Sequence, residues 1–528
     1  MQFRDLDPDQ VHGAAEVSAF DANGFLEAPI TDDLSVAVGF RGSYIDALIE
    51  GVVGDDSSVN VIAAPAYIDY QALVSYRPSR AHDLRLIFFG SNDELRLLFE
   101  DAQQASVQLT SGAVRSRNGF NRAILQYDFR PNQKVSNELQ VALGVDEISA
   151  AAFDVFEFEL NNLQIQGRNR TRYRFSDRFF LDVGIDGLFR ISDISVVAPN
   201  PDQDPNNPDL DDLRFATLEN DFDAQIAPYI EAEWRVTERL TLIPGIRLDY
   251  FSEAENVSID PRIIGRYRIS DPWLVKAGVG IFHQPPLPQE LSEDFGNPDL
   301  DIQWSLQTSA GVEWTPTRYF KADITAFYKR LDRQVGPSNA LRTNDDGDVV
   351  AAVFDNGQTG DVIGLEMFLR HDFNNNFRGW IAYTLSRSTR TDSGETEERL
   401  FGFDQTHILA LVLSYVFPEN WELSGRFRLV SGNPFTPITG GVYIDEQDDY
   451  APISGDTNSE RLSLFHQLDL RLDKRWVADY FTVSAFLEVL NLYNRANTEG
   501  LTYNFDFSER GEVQGLPIVP NVGVRVDF

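Results

Sequence analysis

The sequence predicts an all-β fold, a transmembrane antiparallel β-barrel of about 22 strands, and three observations carry that prediction. The first is the alternation in Arg461–Trp476, RLSLFHQLDLRLDKRW. Its even positions from Leu462 to Leu472 are leucine except for His466, while Asp469, Arg471, Asp473 and Arg475 share the odd face. Successive side chains of a strand point to opposite faces, so this segment has one apolar wall and one charged wall. A closed barrel suits that pattern, with the apolar face in lipid and the charged face in a wet lumen. The second observation is the absence of any run of about 18 apolar residues, which leaves no transmembrane helix. The third is a regular alternation of short turns and long polar connections.

The short turns fall at Thr31–Asp33, Ser79–Asp83, Pro131–Ser136, Ser176–Arg178, Thr237–Arg239, Ser270–Pro272, Thr315–Arg318, Asn374–Asn376, Pro418–Asn420 and Val477–Asp479. Each rests on turn-forming Asn, Asp, Ser, Thr, Pro or Arg between two strand-like runs. Two strands lie between consecutive short turns, joined by a longer loop. With both termini on the turn side, this gives about 22 strands, short periplasmic turns and long outer loops. The 528 residues then allow about 24 per strand and connection, against about 9–11 needed to span. A mean hydropathy of -0.28 is compatible, because lumen, loops and turns are polar.

Trp234, Trp273, Trp314, Trp380, Trp421 and Trp476 lie within a few residues of a short turn, and Trp304 does not. Amphipathic aromatics settle at membrane–water interfaces, so these six are expected to form a periplasmic girdle. The opposite end is acidic. Neither Pro199–Asp212 nor Ser431–Glu460 has a basic residue, and the second carries Asp445, Glu446, Asp448, Asp449, Asp456 and Glu460. Asn344–Asp348 and Asp392–Glu398 are similar. Carboxylates of this kind serve loop solubility; they also offer hard oxygen ligands for Ca²⁺ or for cation-bridged contact with lipopolysaccharide, although no EF-hand spacing appears.

Composition removes several function classes. The chain has no cysteine, so disulfides, thiol catalysis and thiolate metal sites are excluded. A net charge of -37 opposes nucleic acid, which needs clustered Lys and Arg. The six histidines show no metal-binding spacing. No nucleophile, base and orienting group are spaced as a hydrolase requires, so an enzyme is not expected. Met1–Gln10 is short and charged and does not read as a signal peptide, so export calls for a leader outside these residues.

The charged face of Arg461–Trp476 has a neighbour in Trp421–Val430, where Arg426 and Arg428 alternate with apolar residues. Arg426, Arg428, Asp469, Arg471, Asp473 and Arg475 are therefore expected on adjacent strands facing the lumen. Two roles suit them: ion pairing across the wall, and docking a plug, since a barrel of about 22 strands carries a plugged lumen. The final segment sets Val522, Val524, Val526 and Phe528 on one face against Asn521, Gly523, Arg525 and Asp527. An alternating last strand ending in an outward Phe resembles the signal read by the outer-membrane barrel assembly machinery.

These features, with the motif-bearing stretch Phe282–Gly311 and its G-N-P-D-L core at Gly296–Leu300, resemble TonB-dependent outer-membrane receptors. Glu488–Asn494 (EVLNLYN) is similarly family-like, and Gln405–His407 and Ser431–Pro434 (SGNP) more weakly so. The resemblance covers the barrel part of that family: residues 1–12 look like a plug-to-barrel connection and 13–528 like the barrel, with no counterpart of the plug or Ton box. It implies a Gram-negative outer membrane setting in lipid and lipopolysaccharide, no cofactor, and import of a scarce ligand through a plug driven by the TonB complex. The rival readings are a barrel subunit scaffolding a larger complex and an open diffusion pore.

Overall fold

The computed structural model describes residues 6, 10–45, 61–99, 112–152, 156–199, 213–293, 296–343, 347, 349–374, 376–444 and 449–528. Twenty-two strands run antiparallel around a closed barrel, and the two-residue strand Arg399–Leu400 adds to the upper end of one of them. Closure joins the first strand, His12–Ser18, to the last, Val519–Asp527, in a register running from Ala14 opposite Asp527 to Ser18 opposite Gly523. Gly13 and Phe528 exchange backbone hydrogen bonds of 2.8 and 2.9 Å. The sheet therefore has no free edge, which is what lipid demands of a β structure.

All ten short turns connect strands that pair with one another, and both barrel termini lie at that end. Thr31 leads into Leu34, Ser79 into His82, and Pro418–Asn420 forms a single 3₁₀ turn between Phe417 and Trp421. One expectation is corrected. The seven strands between Val61 and Arg235 are 18–23 residues long, well beyond a spanning length. Their ladders continue outward as paired hairpins, for example to Leu213 opposite Pro199 and Phe99 opposite Gly112. Ladder pairing satisfies these backbones, so the described strands run on as extended ribbons beyond a spanning length.

Burial is inverted relative to a water-soluble fold. The largest fully buried side chains include Glu27, Asn491 and Asp182, whereas Val17, Phe40, Leu143, Ile185, Ile259, Leu487 and Val522 are exposed on the outer wall. Register carries the two faces around the barrel. Leu470 opposes Gly425 and Val489 on the apolar side, while Asp469 opposes Arg426 on the other. Five girdle tryptophans share the apolar wall: Trp234, Trp273 and Trp314 (stacked, ring centroids 5.6 Å apart), Trp421 and Trp476. Trp380 does not. It pairs with Arg370 and Val412, in phase with Arg378, which puts it on the lumenal wall.

Leu470 lies mid-strand on the lipid face, so Leu470→Arg should destabilise the barrel by about 2–4 kcal/mol. An equilibrium folding titration in lipid checks this, with Thr482→Arg at the turn end as the reference expected to cost less. Equal tolerance of the two would contradict the assignment of faces and depth.

Candidate functional site: the lumenal charge wall

Strand Trp421–Val430 lies between His407–Phe417 and Phe465–Val477, and its register places the predicted charges opposite one another. Arg426 meets Asp469 at 2.7 Å. Asp469 is only 5% exposed, and it also accepts from Gln467 Nε2 at 2.7 Å and from the backbone N–H of Asn491 at 2.9 Å. Asn491 belongs to the EVLNLYN motif. It takes a positive φ of 50° and ties down the following turn through Arg495 and Leu516. Motif and lumenal acid thus form one unit, in which a strand end is held by a carboxylate.

Arg471 pairs with Asp473 at 3.0 Å and stacks over the Phe486 ring at 3.7 Å. Arg475 reaches Glu422 at 3.1 Å, and Arg428 stacks over Phe465 at 5.4 Å. All six predicted residues therefore share the lumenal wall. They are already engaged with one another or with neighbouring rings, as cross-strand pairing requires.

The hub of this network escaped the sequence reading. Glu422 accepts from Arg378 at 2.8 Å, from Arg475, and from the Ser414 hydroxyl. Around it, Arg378, Arg471, Arg475, Arg525, Asp473 and Asp527 line a cavity of about 570 Å³ near the short-turn end. Arg525 is itself held by Asp527 at 2.6 Å. The phase of Glu422 between Trp421 and Leu423 marks it as inward. Its partners come from three strands, and no sequence spacing reports that.

The outer end of the lumen is built differently. Within Gly296–Leu300 a Cβ at Gly296 would lie 2.2 Å from the Glu290 carbonyl, so only glycine fits the close backbone approach. Asn297 donates to the Phe354 carbonyl at 2.9 Å, fastening this loop across to another strand. Two stretches that resembled the family only weakly prove to be partners. Gln405 donates to Asn433 at 2.9 Å, and Ser431 Oγ accepts the His407 N–H at 3.0 Å. Beneath them is a cavity of about 510 Å³ lined by Phe282, Gln303, Gln307, Lys329, Arg390 and Phe403, among others. In the outer turn Ser252–Glu255, burial, and after it the Asp223 charge, push the Glu253 carboxyl up to about 7.

The terminal residues Val522, Val524 and Phe528 are exposed on the outer wall, and Val526 shares their phase, pairing with Val483 and Ala15. Of the acidic loop stretches, residues 200–212, 344–346, 348 and 445–448 lie outside the described residues. Among the described residues no three His, Asp or Glu side chains gather as a metal site.

Glu422→Gln keeps the side-chain volume but removes the charge that two arginines share. Both arginines are half exposed, which limits the penalty, so a loss of about 1–3 kcal/mol is expected. Glu419→Gln in the adjacent turn should stay within about 0.5 kcal/mol. Equal folding midpoints for the two variants would show that the hub contributes no stability.

Residues 67–492 match the family described as "TonB dependent receptor-like, beta-barrel". The fold superposes on the Pseudomonas aeruginosa receptor FpvA bound to heterologous pyoverdines with a TM-score of 0.72 at 12% identity, covering 98% of this chain and 71% of that one. The siderophore receptor PirA of Acinetobacter baumannii gives 0.67 at 12% identity, with 99% and 81% covered. The iron-regulated outer membrane virulence protein of Vibrio cholerae is 28% identical over 129 residues, a stretch spanning 22% of this chain and only 20% of that relative. With its closed barrel, its inverted burial and this match, the chain belongs to the TonB-dependent receptor β-barrel family of the Gram-negative outer membrane.

Proposed function

We propose that this chain is the membrane wall of a TonB-dependent importer, which captures a scarce ligand at its outer loops and admits it when a plug rearranges. The supporting observation is the lumenal network around Glu422, where arginines and acids from several strands face inward at the periplasmic end. A plug surface carrying charges of both signs can exchange partners with such a wall at small net cost, because the arginines of these pairs are half exposed. Residues 1–12 fit a connection from the plug into the first strand. In this reading the barrel holds and orients and does no chemistry. It needs no resident cofactor, and its acidic outer loops serve solubility, with Ca²⁺-bridged lipopolysaccharide a secondary contact.

Iron complexes are the first cargo to test, because the Vibrio cholerae relative is named iron-regulated and the superposed receptors include pyoverdine and siderophore receptors. In the native bacterium, deletion of the gene should lower uptake of an iron complex under iron limitation. Inactivating the TonB complex should lower it equally. Uptake that survives loss of TonB energy would point to a diffusion pore, and normal uptake of every tested nutrient in the deletion strain would favour the scaffold reading.

A further inference from the structure

Strand Phe377–Thr391 sets one phase against lipid: Phe377, Gly379, Ile381, Tyr383 and Leu385, and then Arg387. The first five suit hydrocarbon and the sixth does not. Ten residues separate Arg387 from Phe377; at about 3.3 Å each on a strand tilted about 40°, they climb about 25 Å, the height of the apolar band. Arg387 therefore stands on the outer wall where the outer leaflet meets water. It is exposed, and its side chain makes no ion pair or hydrogen bond among the described residues. The acids nearby are engaged. Asp361 is paired with Arg330 at 2.6 Å and accepts the Tyr328 hydroxyl, and Asp332 accepts the Arg333 N–H where the strand bulges.

Beside Arg387 the outer wall is hollow. One cross-strand row sets Ala310 and Ala326 beside Leu365 and Leu385, and the next row up runs Thr308, Tyr328, Ile363, Arg387. The two alanines omit the bulk that the two leucines supply, and a groove of about 630 Å³ opens between the rows. Tyr328, Ile363 and Leu385 form its exposed apolar rim, with Arg387 at one end. Strands lie about 4.8 Å apart, so a groove crossing four of them is about 14 Å long. That is an elongated apolar slot with a cation at its end, open to lipid and not to the lumen.

We propose that this groove holds one acyl chain of a phosphate-bearing lipid of the outer leaflet, and that the lipid phosphate meets Arg387. A chain lying in a groove touches protein on several sides, so it gains dispersion contacts that a convex wall does not offer. The planar guanidinium presents two parallel N–H donors to phosphate oxygens, a match that a zwitterionic headgroup offsets with its own cation. Slot and charge together select an anionic lipid: the slot favours a chain over a soluble anion, and Arg387 favours phosphate over a neutral head. The bound lipid would span strands Gln303–Thr317, Phe320–Pro337, Phe354–Asn374 and Phe377–Thr391 from outside. This site is independent of cargo and plug.

The test uses residues 1–528 in nonionic detergent with two lipids of identical chains, dimyristoyl phosphatidate and dimyristoyl phosphatidylcholine, and counts retained lipid by native mass spectrometry. One phosphatidate per barrel should be retained, roughly fivefold more tightly than phosphatidylcholine. Arg387→Gln should abolish that preference and leave phosphatidylcholine unchanged. Ala326→Phe, which fills the groove from the lipid side, should weaken both lipids. Ala485→Phe, in the lipid-facing phase of a distant strand, should change neither. Glycerol 3-phosphate, the head without chains, should not compete. Equal retention of the two lipids, a preference that survives Arg387→Gln, or retention untouched by Ala326→Phe would overturn the assignment. Competition by glycerol 3-phosphate would overturn it by reducing the site to an anion contact. A dimer that Ala326→Phe separates would do so by giving the groove to a second copy of the chain.

Discussion

Every backbone N–H and C=O that enters the hydrocarbon must find its partner within the protein, and the remaining features of this chain depend on that constraint. It forces the first and last strands together, which is why Gly13 and Phe528, at opposite ends of the chain, exchange two hydrogen bonds. Closure in turn fixes the faces, because once the register is set each residue has only lipid or lumen to meet. Leucine and valine rows then contribute stability by facing outward, and acids and arginines become the interior.

An interior of charges has a consequence for function. A soluble core holds its shape through apolar contacts that are costly to exchange. The wall around Glu422 is held by ion pairs whose arginines keep about half their surface open to water. Such pairs are individually weak, and they can trade partners with a body seated in the lumen. Asp469 is as enclosed as Glu422, but it also carries the backbone N–H of Asn491, so it belongs to the fixed frame. The wall therefore combines rigid acids that hold strand ends with half-open arginines that face the lumen.

Much of this was legible in the sequence because strand alternation and turn chemistry are local. All ten turns are where Asn, Asp, Ser, Thr, Pro and Arg place them, and the six lumenal charges share a face because their phase is readable residue by residue. Trp380 shows the limit of a looser argument. Nearness to a turn says how high a residue sits, but phase says which way it points, and Trp380 is in phase with Arg378. The long hairpin extensions between Val61 and Arg235 were hidden for another reason: paired strands above the membrane need no apolar face, so their alternation fades while the ladder continues. Contacts among strands distant in sequence, such as Glu422 with Arg378 and Arg475 or Gln405 with Asn433, had no local signal at all.

In the proposed importer these strands form a closed wall around a wide lumen whose charged lower end seats a separate folded element. The conductance of residues 1–528 in a planar bilayer tests it most directly. The chain alone should form a large, steady ion-conducting pore that closes when a plug-bearing polypeptide is added, with closure weakened by Arg471→Glu combined with Arg475→Glu. A lumen sealed by the chain's own loops, or closure indifferent to those two charges, would contradict it.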